Sequence, residues 1–506
     1  MKRPPTLVVN ALAALALASS GCVVGPNYRQ PAIGAPPAFK EQPPVNVQEA
    51  AAAGWKQSQP GDAYAKGRWW ELYNDPALNA LVEQVNVSNQ NVLQAEALYR
   101  QARAAVRVSR SPLFPSVATA PAITTSERAN ANGNNSTTAA GGLNVTGSSG
   151  ASSSTEFSLP VSVSWEPDLW GSIRRGVRAS TATAEAAAAS VGNARLLFQA
   201  ELAQDYFGLR GIDAQAELLA RTEASYTEYL TLTQNRFSAG IASDLDVAQA
   251  ETQLYGVQAQ LMDLGVQRAA FEHAVAILIG KAPADLTIPA VTVNTSPPPV
   301  PLGVPSELLE RRPDIATAER QVAAANEQIG IAMAAFYPNL NLTGSAGLTS
   351  SSLAKWFTWP GRFWSVGPQL AATLFDAGRR RGIVAEQRAA YDATVAAYRQ
   401  TVLTAMQQVE DNLAALRILS GEADKVQQTV QAATRALNVA SAQYRAGTAS
   451  YLTVISSQAT LLTAEGNAVT LLTRRLTASV LLIEAVGGGW NPSQFPTEPN
   501  AIGTRR

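Results

Sequence analysis

Residues Tyr444 to Val454 read Y-R-A-G-T-A-S-Y-L-T-V, and Phe237 to Val247 read F-S-A-G-I-A-S-D-L-D-V. An aromatic, an Ala-Gly pair, an Ala-Ser pair, a Leu and a Val stand at the same offsets in both. Each stretch interrupts a long helical pattern. Its glycine supplies a left-handed stop, and Ser243 or Ser450 supplies a cap for the helix that follows. Both stretches are therefore tips of helical hairpins, and the chain carries two copies of one unit.

Outward from the first tip, Gly171 to about Arg236 is Ala-rich and free of proline. At about 1.5 Å per residue this predicts close to 100 Å of helix. Beyond the tip, Val247, Ala250, Leu254, Val257, Leu261, Leu264, Arg268, Phe271, Val275 and Leu278 keep three-four spacing, a sustained heptad seam. The second copy repeats this with a helix over Gly378 to Tyr444. After its tip, one seam runs through Leu452, Ile455, Ala459 and Leu462 to Ile483, and a second stripe through Val454, Leu461, Ala468, Leu471 and Leu482. Two apolar stripes on one helix call for neighbours on two sides.

Between helices the period changes to two. Phe157, Leu159, Val161, Val163 and Trp165 alternate with Ser158, Ser162 and Ser164, a strand with one apolar and one polar face. Its expected partner is Pro115 to Thr125, and residues 126–155, almost wholly Ser, Asn, Gly, Thr and Ala, form the loop between them. In the second copy Asn339 to Leu348 and Phe363 to Leu374 alternate likewise. Four such strands cannot close a barrel, which needs about eight, and left open they expose two edges. Oligomerisation resolves this, and an apolar outer face belongs in lipid. Trp165, Trp170, Trp356, Phe357, Trp359, Phe363 and Trp364 are expected at strand ends as interfacial aromatics.

The order is thus a signal segment 1–21, an extended Pro- and Ala-rich segment 22–68, repeat one over 69–280 (strand pair 115–165, tip 237–247), a proline-rich linker 281–305, repeat two over 306–486 (strand pair 339–374, tip 444–454) and a tail 487–506. Asp75 as cap and Pro76 at the first helical position open a helix running to about Ser111. Lys2 and Arg3 precede an apolar run, Leu7 to Leu17, too short to span a membrane in the mature chain. The run ends at Ser19-Ser20-Gly21-Cys22. A small residue before the sole cysteine resembles a bacterial lipobox, in which Cys22 is lipidated and Val23 directs outer-membrane sorting. Ser19 departs from that pattern, and the other reading is an ordinary signal peptide with an incidental cysteine.

The 506 residues are 46% hydrophobic and 15% charged with formal net charge +0, and no basic tract suggests nucleic acid. One Cys excludes an internal disulfide, and with a single His, His273, zinc is not expected. Arg174, Arg175 and Arg178, with Arg379, Arg380 and Arg381, begin the long helices, facing either phospholipid headgroups or water.

Taken together, Cys22-Val23-Val24-Gly25-Pro26-Asn27-Tyr28, Trp69 to Leu78, Glu310-Arg311-Arg312-Pro313-Asp314-Ile315, Phe336-Tyr337-Pro338-Asn339-Leu340 and both tips resemble the outer-membrane factor family of TolC-like efflux channels, in its NodT-like lipoprotein branch. The resemblance implies a mixed α/β, mainly α, fold: a homotrimer forming a twelve-stranded transmembrane β-barrel continued by a helical coiled-coil barrel. It implies a passive exit duct in the outer membrane of a Gram-negative bacterium, reaching into the periplasm. Its partners would be a periplasmic adaptor and a proton-driven inner-membrane pump. It implies no enzyme activity and no cofactor beyond covalent lipid on Cys22. The other class of reading is a lipid-anchored periplasmic coiled-coil scaffold without a channel.

On this resemblance the constriction lies at the inner tip, with Tyr444, Leu452, Thr453, Ser456 and, from the other tip, Asp246. Acidic family positions are occupied here by Thr453 and Ser456, and an arginine position by Ala449. Leu452 either forms an apolar constriction that closes by dewetting or sits in the hairpin seam. Tyr444 and Asp246 are expected to form a latch, although a helix N-terminus alone also favours an acid at 246. Gly240, Ile241, Ala242, Ser243, Gly447, Thr448 and Ala449 are the expected adaptor contacts.

Overall fold

The computed structural model describes residues 23–34, 36, 39–41, 68–128, 152–292, 295–298, 311–488 and 490. The signal segment, Cys22, residues 42–67, residues 129–151 of the polar loop, the start of repeat two and the tail after 490 lie outside the described residues; residues 126–128 and 152–155, expected in that loop, are strand. Two compact units are built from interleaved stretches. One takes in the described parts of Met1–Arg29, Arg103–Ala182 and Ala323–Ala393, and the other those of Gln30–Ala102, Thr183–Val322 and Thr394–Arg506.

The first unit holds the sheet. Its strands are β1 (Ser116–Thr119), β2 (Ala122–Arg128), β3 (Ser152–Trp165), β4 (Asn339–Ser350) and β5 (Arg362–Ala371). Sequence alternation predicts one strand pair per repeat. The structure joins the pairs into a single antiparallel sheet, because β3 also pairs with β4, from Phe157↔Ser350 to Trp165↔Leu342. β1 and β2 share one register along β3, Thr119↔Val161 and Ala122↔Ser158. They are one strand interrupted at Ala120-Pro121, opposite Leu159-Pro160, where two prolines remove ladder donors. Beside Pro160 the fold needs glycine: a Cβ on Gly347 would stand 2.2 Å from the Leu159 carbonyl oxygen.

This register sorts the faces. Leu340↔Leu370, Leu342↔Pro368 and Ala346↔Trp364 pair apolar with apolar, while Asn341↔Gln369 and Ser345↔Ser365 pair polar with polar. Val117↔Val163 extends the apolar face. The polar face is cross-linked by hydroxyls, with Ser345 and Ser365 Oγ 2.8 Å apart and Ser164 Oγ donating to Asn341 Oδ1 at 3.3 Å. Val117, Ile123, Trp364, Val366 and Leu370 are exposed on the apolar face. The outer edges, β1/β2 and β5, have no strand beyond them among the described residues.

At the helix ends of the strands, Trp170 stacks on Tyr337 (centroids 4.7 Å) and its indole donates to the Pro338 carbonyl. At the opposite ends, Phe357, Trp359 and Trp364 are exposed. Three of the six arginines beside this junction, Arg174, Arg175 and Arg380, are tied down by protein groups, correcting the expectation of headgroup or solvent contact for them, while Arg178, Arg379 and Arg381 are exposed. Arg174 Nε donates to Asp168 at 3.0 Å and Arg380 Nε to Asp376 at 2.6 Å, and each carboxylate also accepts backbone N–H groups opening the long helix. Arg175 is wholly buried, donating to Glu327 Oε2 (2.8 Å) and to the Val24 carbonyl (2.6 Å). It has room because Gly330 lies against it, and Gly25, at φ +103, packs on Gly330. Val24 N in turn bonds the Trp170 carbonyl.

The second unit is helical. Trp69–Tyr73 forms a 3₁₀ turn, followed by α1 (Pro76–Ser88) and α2 (Gln90–Arg110). Asp75 caps α1 by accepting from Ala77 and Leu78, with Pro76 in the first turn. The single helix expected to Ser111 is broken at Asn89. Its amide donates to Leu278 O at 2.8 Å, and its carbonyl oxygen caps Asn91 and Val92. The long helices α3 (Ser172–Ser238) and α6 (Arg379–Arg445) each have 67 residues, and their partners α4 (Asp244–Leu278) and α7 (Tyr451–Ala485) each have 35. The helix α5 (Pro313–Ala334) precedes β4.

Arg312, from the Glu310–Ile315 motif, grips Asp314 with two nitrogens and donates to Ala485 O, tying the end of α7. From Gln30 onward the extended segment is strapped along α6. Phe39 is buried with Val409, Leu413, Leu482 and Ala485, and Glu410 accepts from Lys40 N (2.7 Å) and Glu41 N (2.9 Å).

Candidate gate at the hairpin tips

Both tips turn by the same device. Gly240 (φ +74) and Gly447 (φ +78) are left-handed, and Ile241 N bonds Arg236 O as Thr448 N bonds Gln443 O. These are the long hydrogen bonds of a Schellman stop. The helices after the tips start differently. Ser243 caps α4 in a reciprocal box, its N–H donating to Asp246 Oδ2 (2.9 Å) while Asp246 N donates to Ser243 Oγ (3.3 Å). Ser450 makes no side-chain cap, correcting the expectation of symmetry, and its hydroxyl lies 3.4 Å from Thr453 Oγ1.

The latch expected between Tyr444 and Asp246 is replaced by other partners. The Asp246 carboxylate is taken by its own cap. Tyr444 is buried, with its hydroxyl 3.4 Å from Thr233 Oγ1. The contacts that do tie α3 to α6 are different ones. Arg236 Nη1 donates to Tyr444 O at 2.8 Å while its guanidinium lies 4.5 Å over the Tyr444 ring, and Tyr229 OH donates to Ser441 Oγ at 2.6 Å. Tyr444 and Tyr451 rings meet at 5.4 Å, within a cluster that includes Tyr229, Ala250, Val454 and Ile455. Burial drives the Tyr451 phenol well above its ordinary range, reinforced by the neighbouring tyrosines and Asp246. Tyr451 thus stays protonated at physiological pH inside an aromatic plug at the tip. Sequence reasoning passed over Arg236, Tyr229 and Ser441, because none departs from an ordinary helical pattern.

Leu452 is 60% exposed, outside the hairpin seam, while Tyr451, Val454 and Ile455 hold the buried stripe. Thr453 and Ser456 are also exposed. Of the expected docking residues, Gly240, Ile241, Ser243, Gly447 and Thr448 are exposed, and Ala242 and Ala449 are half-buried. Phe237 and Leu245 extend the exposed apolar surface around Ile241. His273 is exposed on α4. No helix among the described residues is long and apolar enough to cross a membrane.

The family model described as outer membrane efflux protein matches residues 81–281 and 304–488. The chain is 31% identical over 482 residues to the probable efflux pump outer membrane protein TtgC of Pseudomonas putida, covering 95% of each chain. It is 31% identical over 456 residues to the pyoverdine export outer membrane protein OpmQ of Pseudomonas aeruginosa, covering 88% of this chain and 93% of that one. Among solved structures, the outer-membrane channel OprN superposes with a TM-score of 0.80 at 28% identity, covering 93% of this chain and 100% of that one. The open state of the Neisseria gonorrhoeae MtrE outer membrane channel gives 0.79 at 25%, covering 93% and 99%. The chain belongs to the outer membrane efflux protein family, as the outer-membrane channel of a tripartite efflux system.

Proposed function

We propose that three copies of this chain close into one duct, a twelve-stranded barrel in the outer membrane continued by a wall of twelve helical rods. The observation that carries this is the sheet. It has one continuous apolar face, one hydroxyl-lined face and, among the described residues, two unpaired edges, and about eight strands are the fewest that close. Closure by copies of itself satisfies both edges, turns the apolar face to lipid and turns the hydroxyls to a water-filled lumen. No bond chemistry is required of such a protein; transport is passive.

The N-terminal segment supports a lipid anchor. Val24 N donates to the Trp170 carbonyl at the junction of β3 and α3, the end of the sheet that this reading sets at the leaflet surface. Acyl chains on Cys22 would enter the leaflet there, and several chains give stable anchoring where one is marginal. At the hairpin tips the exposed Leu452, with Thr453 and Ser456, forms the constriction, and Tyr444 sits behind it in the aromatic plug. Asp246 serves this gate indirectly, by fixing the first turn of α4. The exposed tips Gly240 to Ser243 and Gly447 to Ala449 receive the periplasmic adaptor, which links the duct to a proton-driven pump in the inner membrane.

Electron-microscope images of the detergent-solubilised particle test the assembly. A threefold hollow particle is expected; a solid monomeric rod overturns it in favour of an anchored scaffold. Metabolic labelling with palmitate, lost in Cys22→Ser, tests the anchor separately.

A further inference from the structure

Gln458 occupies an unusual place on α7. It is 4% exposed, and neither its amide nitrogen nor its amide oxygen has a hydrogen-bond partner among the described residues. Its neighbours along the same helical stripe are apolar. Val454 and Ile455, one turn earlier, belong to the aromatic plug with Tyr229, Tyr444 and Tyr451. Leu462, one turn later, packs on the cluster of Ile212, Leu219, Tyr226, Leu254, Val257 and Leu264. An amide therefore stands on the seam between the tip cluster and the cluster above it, where a Leu or Met would fit the pattern.

Burying an amide with its bonding capacity unmet is unfavourable, and folded proteins avoid it except where strain has a use. Packing nearby satisfies its polar groups elsewhere: Thr233, equally buried, donates to Tyr229 O. Gln458 alone on this seam is left bare at both atoms. The cost is borne only while α7 stays packed against α3 and α4. It is relieved when the hairpin splays and water reaches the amide.

We propose that Gln458 is a built-in destabiliser of the closed tip, setting the plug close to its opening threshold so that a modest pull on the hairpin releases it. This rests on the reading that the tips form the closed end of the duct. The opposing bonds of Arg236 and Tyr229 hold the hairpin shut, and Gln458 limits how firmly they hold it. Packed apolar clusters switch between discrete arrangements rather than deforming continuously. One unsatisfied polar group on the seam is enough to shift such an equilibrium about tenfold.

The test is hydrogen exchange of the tip amides, residues 440–460, in the purified full-length particle, read beside conductance in planar bilayers. Gln458→Leu removes the bare amide at similar volume, and Gln458→Met does so if leucine packs poorly. Both variants are expected to slow tip exchange about tenfold, by the same unsatisfied-group estimate, and to lower the frequency of conducting events. Gln458→Glu is expected to do the reverse above the carboxyl's pKa. Tip exchange unchanged or faster in both apolar variants overturns the proposal. If wild type and variants alike conduct nothing, the duct reading fails, while the exchange rates still decide the role of Gln458.

Discussion

Replacing Arg236 by alanine is the sharpest probe of how the hairpins are held together. Two interactions are lost at once. The guanidinium donates to Tyr444 O at 2.8 Å, and it covers the Tyr444 ring at 4.5 Å. A hydrogen bond from a charged donor is worth about 1.5–3 kcal/mol, and a cation–π contact about 0.5–1 kcal/mol at an exposed site. Arg236 is half-buried, so the low end of both ranges applies, a loss of about 2 kcal/mol. If that energy favours the closed tip alone, the open fraction rises about thirtyfold. Tyr444 O keeps its bond from Gly447 N, so the carbonyl is not orphaned and the tip should still fold.

The assay is single-channel recording of the reconstituted particle, with Arg221→Ala, an exposed arginine on the same helix, as control. Arg236→Ala should conduct far more often than wild type, and the control should not differ. Tyr229→Phe, which breaks the separate 2.6 Å bond to Ser441, should by itself raise the open fraction about fivefold, and the departure of the double variant from a simple product measures the coupling through the cluster that Tyr229 and Tyr444 share. A correctly folded Arg236→Ala particle with wild-type conductance would refute the reasoning, and would mean that the closed end is held elsewhere.

Three further outcomes follow from other parts of the structure. Gly25→Ala would place a Cβ 2.6 Å from the Gly330 Cα at a φ of +103; it should destabilise the Arg175 node by several kcal/mol, as breaking a buried pair does, seen as a lowered unfolding midpoint. Glu410→Ala removes the acceptor of Lys40 N and Glu41 N; trypsin should cut after Lys40 several-fold faster in the variant, and an unchanged rate would mean that Phe39 and the Arg417–Glu41 ion pair suffice to hold the strap. Burial raises Glu484 from 4.5 to about 7, against the pull of Arg312 and with Asp314 and Glu201 adding to the rise. The folded state thus keeps a proton that the unfolded chain releases, and the ionised group costs the fold up to about 3 kcal/mol as pH rises from the unfolded to the folded value. Glu484→Gln should therefore raise the melting temperature at pH 8 and leave it nearly unchanged near pH 4; an equal shift at both would show that charge is not the cause.

What could be read beforehand followed from periodicity and glycine. The Ala-Gly pairs required left-handed turns, and a proline-free run of three-four spacing can hardly be anything but helix. Alternation likewise identified the faces of the strands. It does not identify their partners, because a period of two is the same whichever neighbour a strand takes. The pairing of β3 with β4 was therefore invisible from either repeat alone. The break at Asn89 carries no Gly or Pro, and it exists because Leu278 O, far along the chain, offers an acceptor.

The charged residues were the least legible. In the run Arg174-Arg175, one side chain caps a helix through Asp168 and the next is buried against Glu327. Nothing local separates them; the difference lies in two glycines, Gly25 and Gly330, that leave space for one guanidinium and not the other. Asp246 shows the same limit from the opposite side. Its local partner, Ser243, is three residues away and costs almost no chain entropy to meet, whereas Tyr444 must be brought from the second repeat. The short-range cap wins the carboxylate, and the latch passes to an arginine and a tyrosine whose only distinction is where the fold puts them. The two bonds that hold the tip contain no carboxylate. The ion pair that also bridges α3 and α6 there, Arg445 with Glu228 at 3.5 Å, is exposed on both sides and so weak. Closure should therefore change little between pH 5 and pH 8, where the Asp246 cap also stays intact. That separates its gating from the pH dependence expected of Glu484, and recordings at pH 5 and pH 8 can show it directly.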